Sequence, residues 1–270
     1  MPYIGAKIYS DGSHYIAIPY HPKPFRKRKP IRLSDSTEEH PVGAKPDIKV
    51  PKVETDEIAA EKKEKEKRNR IERRVRLSRK VHLNEWSYFC TFTYDDKLHT
   101  EETFRKKLSE CLRRLSTRKG WRYIGVWERS PEKQRLHFHG LFYIPKEGMI
   151  GELRETTDYN TEDRCRQTIL QNSHFKQVFG RNDFKEVCRQ ELDSCMRYIM
   201  KYLGKTGEKL VYSRNVPTYV ISDLLDEDVV CKCGIEERKL LLVDDFACWE
   251  EGEYLGKMSP EVKNKMRKSY

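Results

Sequence analysis

Leu136-His137-Phe138-His139-Gly140-Leu141-Phe142-Tyr143-Ile144 is a run in which nearly every residue is apolar or aromatic. Such a run is typical of a buried β-strand, on which successive side chains point to opposite faces. His137 and His139 therefore share one face of the strand. Two neighbouring imidazoles can each offer a nitrogen lone pair to one divalent cation. The simpler interpretation is that both are half-buried strand residues with hydrogen-bond partners.

A preceding apolar run, Trp121–Trp127, ends at Glu128. The polar loop Arg129–Arg135 joins it to the histidine strand, and this arrangement favours an antiparallel pair. That pairing would bring the Glu128 carboxylate beside the two imidazoles. The three side chains are a candidate metal site with open coordination positions. Mixed nitrogen and oxygen ligands fit Mg²⁺ or Mn²⁺, and the ligand types do not exclude Zn²⁺.

The segment Glu191–Lys205 contains no proline and predicts an amphipathic helix. Its apolar residues recur at helical spacing, at Leu192, Met196, Ile199 and Leu203. At about 100° per residue, a second face carries Tyr198, Lys201, Tyr202 and Lys205. Packing against a core accounts for the apolar stripe, but not for two phenols and two ammonium groups aligned on another face.

Together these residues resemble the HUH endonucleases, the initiators of rolling-circle replication. His137-Phe138-His139 resembles their His-hydrophobic-His motif. The segment Tyr198-Ile-Met-Lys-Tyr202 is similar to the twin-tyrosine motif of initiators from small single-stranded-DNA phages and related plasmid Rep proteins. Phe89-Cys-Thr-Phe-Thr-Tyr94 stands where these families carry their first motif, and Glu128 precedes the histidines as a Glu ligand does in some Rep proteins. The ordered set spans about Trp86–Pro217.

The resemblance implies an enzyme that nicks single-stranded DNA at an origin through a covalent 5′-phosphotyrosine and rejoins the ends. It would start and terminate rolling-circle replication of a phage, plasmid or mobile element, with a divalent metal on His137, His139 and Glu128. Tyr198 matches the nucleophile, and Lys201 would support negative charge. Tyr202 matches the second tyrosine, but packing or a phosphate contact is an equal alternative, since many Rep proteins use one tyrosine.

DNA contacts and partners are less sharply indicated. Lys205 is a candidate phosphate contact, whereas for Arg135 and Arg214 solvated charge is an equal alternative. The sequence has no Gly-x-x-x-x-Gly-Lys-Ser/Thr loop, so helicase activity must come from the host, together with a polymerase. A single-strand transposase, a relaxase and a non-catalytic nucleic-acid-binding module remain alternatives. Thr91 and Thr93 share a strand face and could line the site, but β-propensity alone is the favoured explanation.

Charged residues make up 36% of the 270 residues, and the formal net charge of +11 indicates a polyanionic partner. Residues 61–80 hold eleven Lys and Arg against four Glu, so most of the excess charge lies in one segment. No signal peptide and no long apolar window is evident, which predicts a protein of the bacterial host cytoplasm with reduced thiols and no membrane partner. Cys231, Cys233 and Cys248 are expected to be free rather than zinc ligands.

The chain divides into four segments on composition and pattern. Residues 1–54 are an N-terminal hairpin and a Pro-rich linker, 55–82 a charged basic helix, 83–222 the nicking and joining domain, and 223–270 an extension without an assigned role. The pattern predicts an α+β fold with helices packed on one face of an antiparallel sheet. That fold agrees with the RRM-like, ferredoxin-type topology that the resemblance implies. Gly148–Asn160 is predicted as a loop, and a helix is predicted from Thr161 to about Asn172.

Overall fold

The computed structural model describes residues 3–20, 56–130, 134–160, 164–205, 208–234, 237–266 and 268–269. The predicted linker lies outside the described residues from position 21 to position 51. The side chains of residues 56–59, 160, 204–205 and 268–269 are likewise outside the description. No helix in the described ranges is both long and apolar enough to cross a membrane. None of the eight cysteines, all of which lie in the described ranges, forms a disulfide.

The described residues form three antiparallel sheets and five α-helices. The strands are β1 (Tyr3–Ser10), β2 (Tyr15–Ile18), β3 (Tyr88–Thr93), β4 (Arg122–Arg129), β5 (Leu136–Tyr143), β6 (Leu153–Asn160), β7 (Cys165–Asn172), β8 (Asn182–Glu186), β9 (Val211–Tyr212), β10 (Tyr219–Leu224), β11 (Val229–Cys233), β12 (Lys239–Leu242), β13 (Ala247–Glu250), β14 (Glu253–Lys257) and β15 (Lys268–Ser269). The helices are α1 (Asp56–Leu83), α2 (Glu101–Lys119), α3 (Ser173–Val178), α4 (Leu192–Lys205) and α5 (Pro260–Lys265). The α+β class with antiparallel sheets is confirmed.

The central sheet has five strands in the order β8-β3-β5-β4-β9. The histidine strand β5 lies in the middle, and its predicted antiparallel pairing with β4 is confirmed. In this pairing, Gly125 of β4 faces Gly140 of β5. A Cβ added to Gly125 would lie 2.4 Å from the carbonyl oxygen of His139, so the approach requires glycine. The pairing register is thereby fixed immediately beside the second histidine.

Helices cover both faces of the central sheet, which corrects the prediction that they pack on one. α2 begins at the Thr100 cap and packs its apolar stripe on the face that carries Tyr123 and Trp127. α4 and the end of α1 pack on the opposite face, which carries Ile124 and Val126. The physical reason lies in β4, where successive side chains are apolar on both sides, so each face needs a cover.

A β-hairpin replaces the predicted loop and helix between residues 148 and 172. β6 pairs with β7 along its whole length, from Leu153 opposite Asn172 to Asn160 opposite Cys165. The Thr-Glu-Asp signal at 161–163, which suggested a helix start, lies in the connection of this hairpin and outside the described residues. Cross-strand pairs such as Thr156 with Ile169 stabilise the two strands. Because these partners are distant in sequence, a search for local periodicity does not detect them.

A second sheet combines the two ends of the chain. Its strand order is β11-β12-β2-β1-β10-β13-β14, and β15 also pairs with β10. The predicted N-terminal hairpin, β1 with β2, is confirmed. Helix α1 connects the two sheets, because Leu77 and Val81 pack in the core under α4 whereas Leu83 packs in the core of the second sheet. Only its earlier part is the exposed charged helix that the sequence predicts.

Phe92 is a direct test of the core under α2. It is fully buried and its ring contacts Phe175 at 4.9 Å between centroids. We expect Phe92→Ala to lower the free energy of unfolding by about 3–5 kcal/mol, because the cavity is enclosed on every side. Urea denaturation measures the loss. Tyr159→Ala, at a residue that is 55% exposed, is the matched control. Equal losses in both variants would contradict this core assignment.

Candidate active site

Three strands and helix α4 bring together a cluster of polar side chains on the α4 face of the central sheet: Glu128, His137, His139, Thr91, Thr93, Tyr198 and Tyr202. The register of β4 and β5 places Glu128 directly opposite His137. β3 lies on the other side of β5 and places Thr93 opposite His137 and Thr91 opposite His139. Helix α4 crosses above them and brings Tyr198 and Tyr202 onto the histidines. Residues separated by 70 positions, such as Glu128 and Tyr198, are thus in contact.

Glu128 is the centre of the cluster. Its Oε2 accepts a hydrogen bond from His139 Nε2 at 3.0 Å and one from the Tyr198 hydroxyl at 3.1 Å. The Tyr202 hydroxyl also hydrogen-bonds to this carboxylate. Burial alone would raise the pKa of Glu128, but the bonds from His139 and the two tyrosines hold its pKa below the ordinary value. The carboxylate is therefore ionised although only 5% of the residue is exposed.

Two threonines orient the imidazoles. Thr93 Oγ1 lies 2.7 Å from His137 Nδ1, and Thr91 Oγ1 lies 3.0 Å from His139 Nδ1. Of the two alternatives for these threonines, the contacts favour the one in which both line the site. Burial, with the nearby positive charge of His139, lowers the pKa of His137 to about 4. The His137 ring is therefore neutral at physiological pH and retains a nitrogen lone pair.

The two tyrosines lie side by side over His139. Their ring centroids are 4.9 Å apart, and the Tyr202 ring is within 16° of parallel to the imidazole at 6.5 Å. Burial raises the pKa of Tyr198 above its ordinary value, and the charge on Glu128 adds to the effect, so this phenol is protonated at rest. Lys201 Nζ lies 5.4 Å from the centre of the Tyr202 ring. The structure thus brings Tyr198, Lys201 and Tyr202 to one side of the cluster.

The donor chemistry of His137, His139 and Glu128 suits a divalent cation, since it combines imidazoles with an ionised carboxylate. The imidazole rings are 5.8 Å apart, and Glu128 is engaged in hydrogen bonds. Among the described residues, no group of three or more His, Cys, Asp or Glu side chains is arranged to hold a metal ion. Ligation by Glu128 would compete with its bonds to His139 and Tyr198.

The predicted DNA contacts lie in different places. Arg135 is beside the cluster: it pairs with Asp96 at 3.0 Å, and its charge contributes to the low pKa of His137. Arg214 is exposed on a separate surface near α2 and α1. Lys205 ends α4, and its side chain lies outside the described residues.

Sequence reasoning missed Arg181 and Phe89. Arg181 also acts on the pKa of His137, and its Nε donates to Asp158 at 2.8 Å. Asp158 belongs to the hairpin that was predicted as a loop, so the sequence carried no signal for this pair. Phe89 packs edge-on against Tyr198 at 5.5 Å between ring centroids and forms one wall of the cluster. Its position in the first-motif strand is the signal that points to it.

Thr93→Val tests the orientation of His137. Valine keeps the shape of threonine but removes the hydroxyl 2.7 Å from Nδ1, so the buried ring loses a partner. We expect a loss of about 1 kcal/mol in unfolding free energy and altered imidazole nitrogen resonances of His137 in NMR spectra. Thr157→Val, at an exposed hairpin residue, is the control. Unchanged His137 resonances in Thr93→Val would exclude this role of Thr93.

Comparison with known protein families places this cluster in context. Residues 87–207 match the family model for the replication-associated protein ORF2/G2P. The matched segment extends from the start of β3 past the end of α4, and so contains every residue of the cluster. No curated protein and no solved structure matches the chain. The family match supports a replication-associated protein of the rolling-circle Rep type.

Proposed function

We propose that this protein is a replication initiator that nicks single-stranded DNA at an origin and later rejoins the ends, for a phage, plasmid or mobile element. The observation that carries the proposal is the convergence of Glu128, His139 and Tyr198, with both donor–acceptor distances near 3 Å. The family match over residues 87–207 supports a role in replication.

Tyr198 is the proposed nucleophile. Its oxygen attacks the scissile phosphorus, the bond between phosphorus and the 3′ oxygen breaks, and the phosphate becomes a 5′-phosphotyrosine. The phenol is protonated at rest, and Glu128 Oε2 at 3.1 Å is the acceptor within reach of its proton. The departing 3′ oxygen takes up a proton and leaves as a hydroxyl. The phosphotyrosine conserves a phosphodiester bond, so rejoining requires no ATP.

His137, His139 and Glu128 are the residues that would hold Mg²⁺ or Mn²⁺. Such an ion polarises the scissile phosphate and reduces its negative charge. The chain contributes a neutral His137, an ionised Glu128 and the two threonine hydroxyls that orient the rings. Arg135, whose charge acts on His137 and which is paired with Asp96, would contact a neighbouring DNA phosphate only by exchanging that partner.

Tyr202 is the proposed second nucleophile. Its hydroxyl reaches the same carboxylate as Tyr198, so both phenols have one proton acceptor within reach. One tyrosine can then hold the first DNA end while the other cuts the newly made junction. Lys201, close to the Tyr202 ring, would stabilise charge on that phenolate or on a phosphate oxygen. In the bacterial cytoplasm, a host helicase would unwind the duplex and a host polymerase would extend the freed 3′ end.

Covalent adduct formation tests the nucleophile. A labelled pool of single-stranded oligonucleotides of random sequence is incubated with protein and Mn²⁺, and adducts are resolved on a denaturing gel. We expect Tyr198→Phe to abolish the adduct and Tyr202→Phe to retain first cleavage. Tyr159→Phe, at an exposed hairpin tyrosine, should behave as the wild type. An undiminished adduct in Tyr198→Phe would reject this assignment.

Metal removal tests the ligand set. Chelation with EDTA should abolish the adduct, and added Mg²⁺ or Mn²⁺ should restore it. Calorimetric titration with Mn²⁺ provides a second measurement, in which Glu128→Gln and His139→Ala should each bind far more weakly than the wild type. Adduct formation in EDTA would refute metal dependence. If the wild type binds DNA but forms no adduct with either metal, the protein is a non-catalytic nucleic-acid-binding module.

A further inference from the structure

Two hollows outside the catalytic cluster meet at the edge strand β9 and share Tyr212 and Arg214. One, of about 700 Å³, lies against α2, and the other, of about 720 Å³, lies against the end of α1 and strand β1. We call the two hollows together the β9 groove. Its cations are Arg76, Arg79, Lys80, Lys106, Arg113 and Arg214, and its aromatic residues are Tyr9, Tyr123, Tyr212 and Tyr219.

The β9 groove is strongly positive. Against its six cations, Glu110 is the single carboxylate among the described lining residues. Glu110 is itself paired with Arg114 at 2.6 Å, so it does little to offset the groove cations. Lys80 is buried and donates to the Val216 carbonyl at 2.9 Å, and the exposed Arg76 is paired with Glu72 at 3.2 Å. Arg79, Lys106, Arg113 and Arg214 therefore carry most of the available charge. A concave surface with cations on both walls attracts a polyanion that lies along it. This charge pattern fits a phosphate chain better than a single small anion.

Aromatic rings alternate with these cations. The Arg79 guanidinium lies 4.1 Å from the centre of the Tyr9 ring, and Lys80 Nζ lies 4.2 Å from that of Tyr212. Tyr212 nevertheless remains 48% exposed, so much of its ring faces solvent. Tyr123 is buried, and Tyr9 packs against Tyr219 at 5.6 Å, so Tyr212 is the ring best exposed to a ligand. An open aromatic ring between basic residues suits an unpaired base, which can stack on it while the phosphates contact the cations. In a duplex the base faces are already stacked on one another.

The β9 groove is close to the catalytic cluster along the sheet. Tyr212 is paired with Ile124, which is four residues from Glu128 on the same strand. At the rise of a β-strand this is about 13 Å, or about four stacked nucleotides. Most of the groove residues lie outside the matched segment 87–207, since α1, β1 and the chain after β9 provide them.

We propose that the β9 groove binds a single strand of nucleic acid, with phosphates on its cations and bases against its tyrosine rings. If the protein nicks DNA as proposed above, that strand is the DNA on one side of the nick. The identity of the strand therefore rests on the proposed function. The catalytic cluster would then position the scissile phosphate, while the groove holds the strand several nucleotides away.

Binding of fluorescent single-stranded oligonucleotides tests the proposal by anisotropy across a range of salt concentrations. With an oligonucleotide of about thirty nucleotides, the negative slope of log affinity against log salt should become shallower by about 1.4 in the double variant Arg76→Ala/Arg214→Ala, or about 0.7 for each cation–phosphate interaction that the variant removes. Tyr212→Ala should weaken binding about tenfold, whereas Tyr212→Phe should retain the wild-type affinity because the ring remains.

The matched control removes two exposed cations elsewhere. Lys232→Ala/Lys239→Ala changes the net charge by the same amount on the β11–β12 hairpin, and its slope should equal that of the wild type. Equal slopes in the two double variants would overturn the groove assignment. A duplex of the same sequence that binds as tightly as the single strand, with no effect of Tyr212→Ala, would overturn the single-strand assignment. Urea denaturation confirms that each variant is folded.

Failure of the groove and failure of the proposed function give different results. If the wild type forms an adduct but the groove variants bind the long oligonucleotide normally, the nicking function stands and the groove proposal fails. If the wild type forms no adduct while the groove variants lose affinity and salt dependence, the groove is a single-strand binding site on a protein that does not nick.

Discussion

Glu128 and His137 lie opposite each other because β4 and β5 pair in one register, with Gly125 against Gly140 where the backbones come closest. A shift of that register by one residue would turn the histidines to the other face of the sheet, into the aromatic core beneath α2. The geometry of the candidate active site therefore depends on the backbone contact between Gly125 and Gly140, neither of which takes part in the proposed reaction. The two glycines permit this register, because a Cβ atom at either position would clash with the backbone of the neighbouring strand.

The same cluster resolves an electrostatic difficulty. A carboxylate that is 5% exposed is costly to ionise unless several donors satisfy it. Here one imidazole and two phenols provide that compensation, and these donors are the residues proposed to do the chemistry. Structural stabilisation and the proposed chemistry thus use one set of hydrogen bonds. A metal ion held by Glu128 would share the carboxylate with these donors.

The sequence predicted the parts of the fold that depend on local periodicity. The alternation in β5 placed His137 and His139 on one face, and the helical spacing in α4 separated its tyrosines from its apolar stripe. The predictions that failed depend on distant partners. The β6–β7 hairpin is defined by cross-strand pairs. The second face of the central sheet is covered by α4 together with the end of α1, a helix whose charge pattern suggested full exposure. Arg181 was not predicted because its partner, Asp158, lies on the β6–β7 hairpin.

The second sheet imposes an order on folding during synthesis. The backbone amide of Gly5 donates to the Asp223 side chain at 2.7 Å, across a separation of 218 residues. When the ribosome has completed the segment that carries the histidines and tyrosines, β1 and β2 still lack the neighbours that later flank them. Until those partners emerge, the early hairpin exposes unpaired edges to other nascent chains. The two edges of this hairpin become paired only after β10 and β12 have been synthesised.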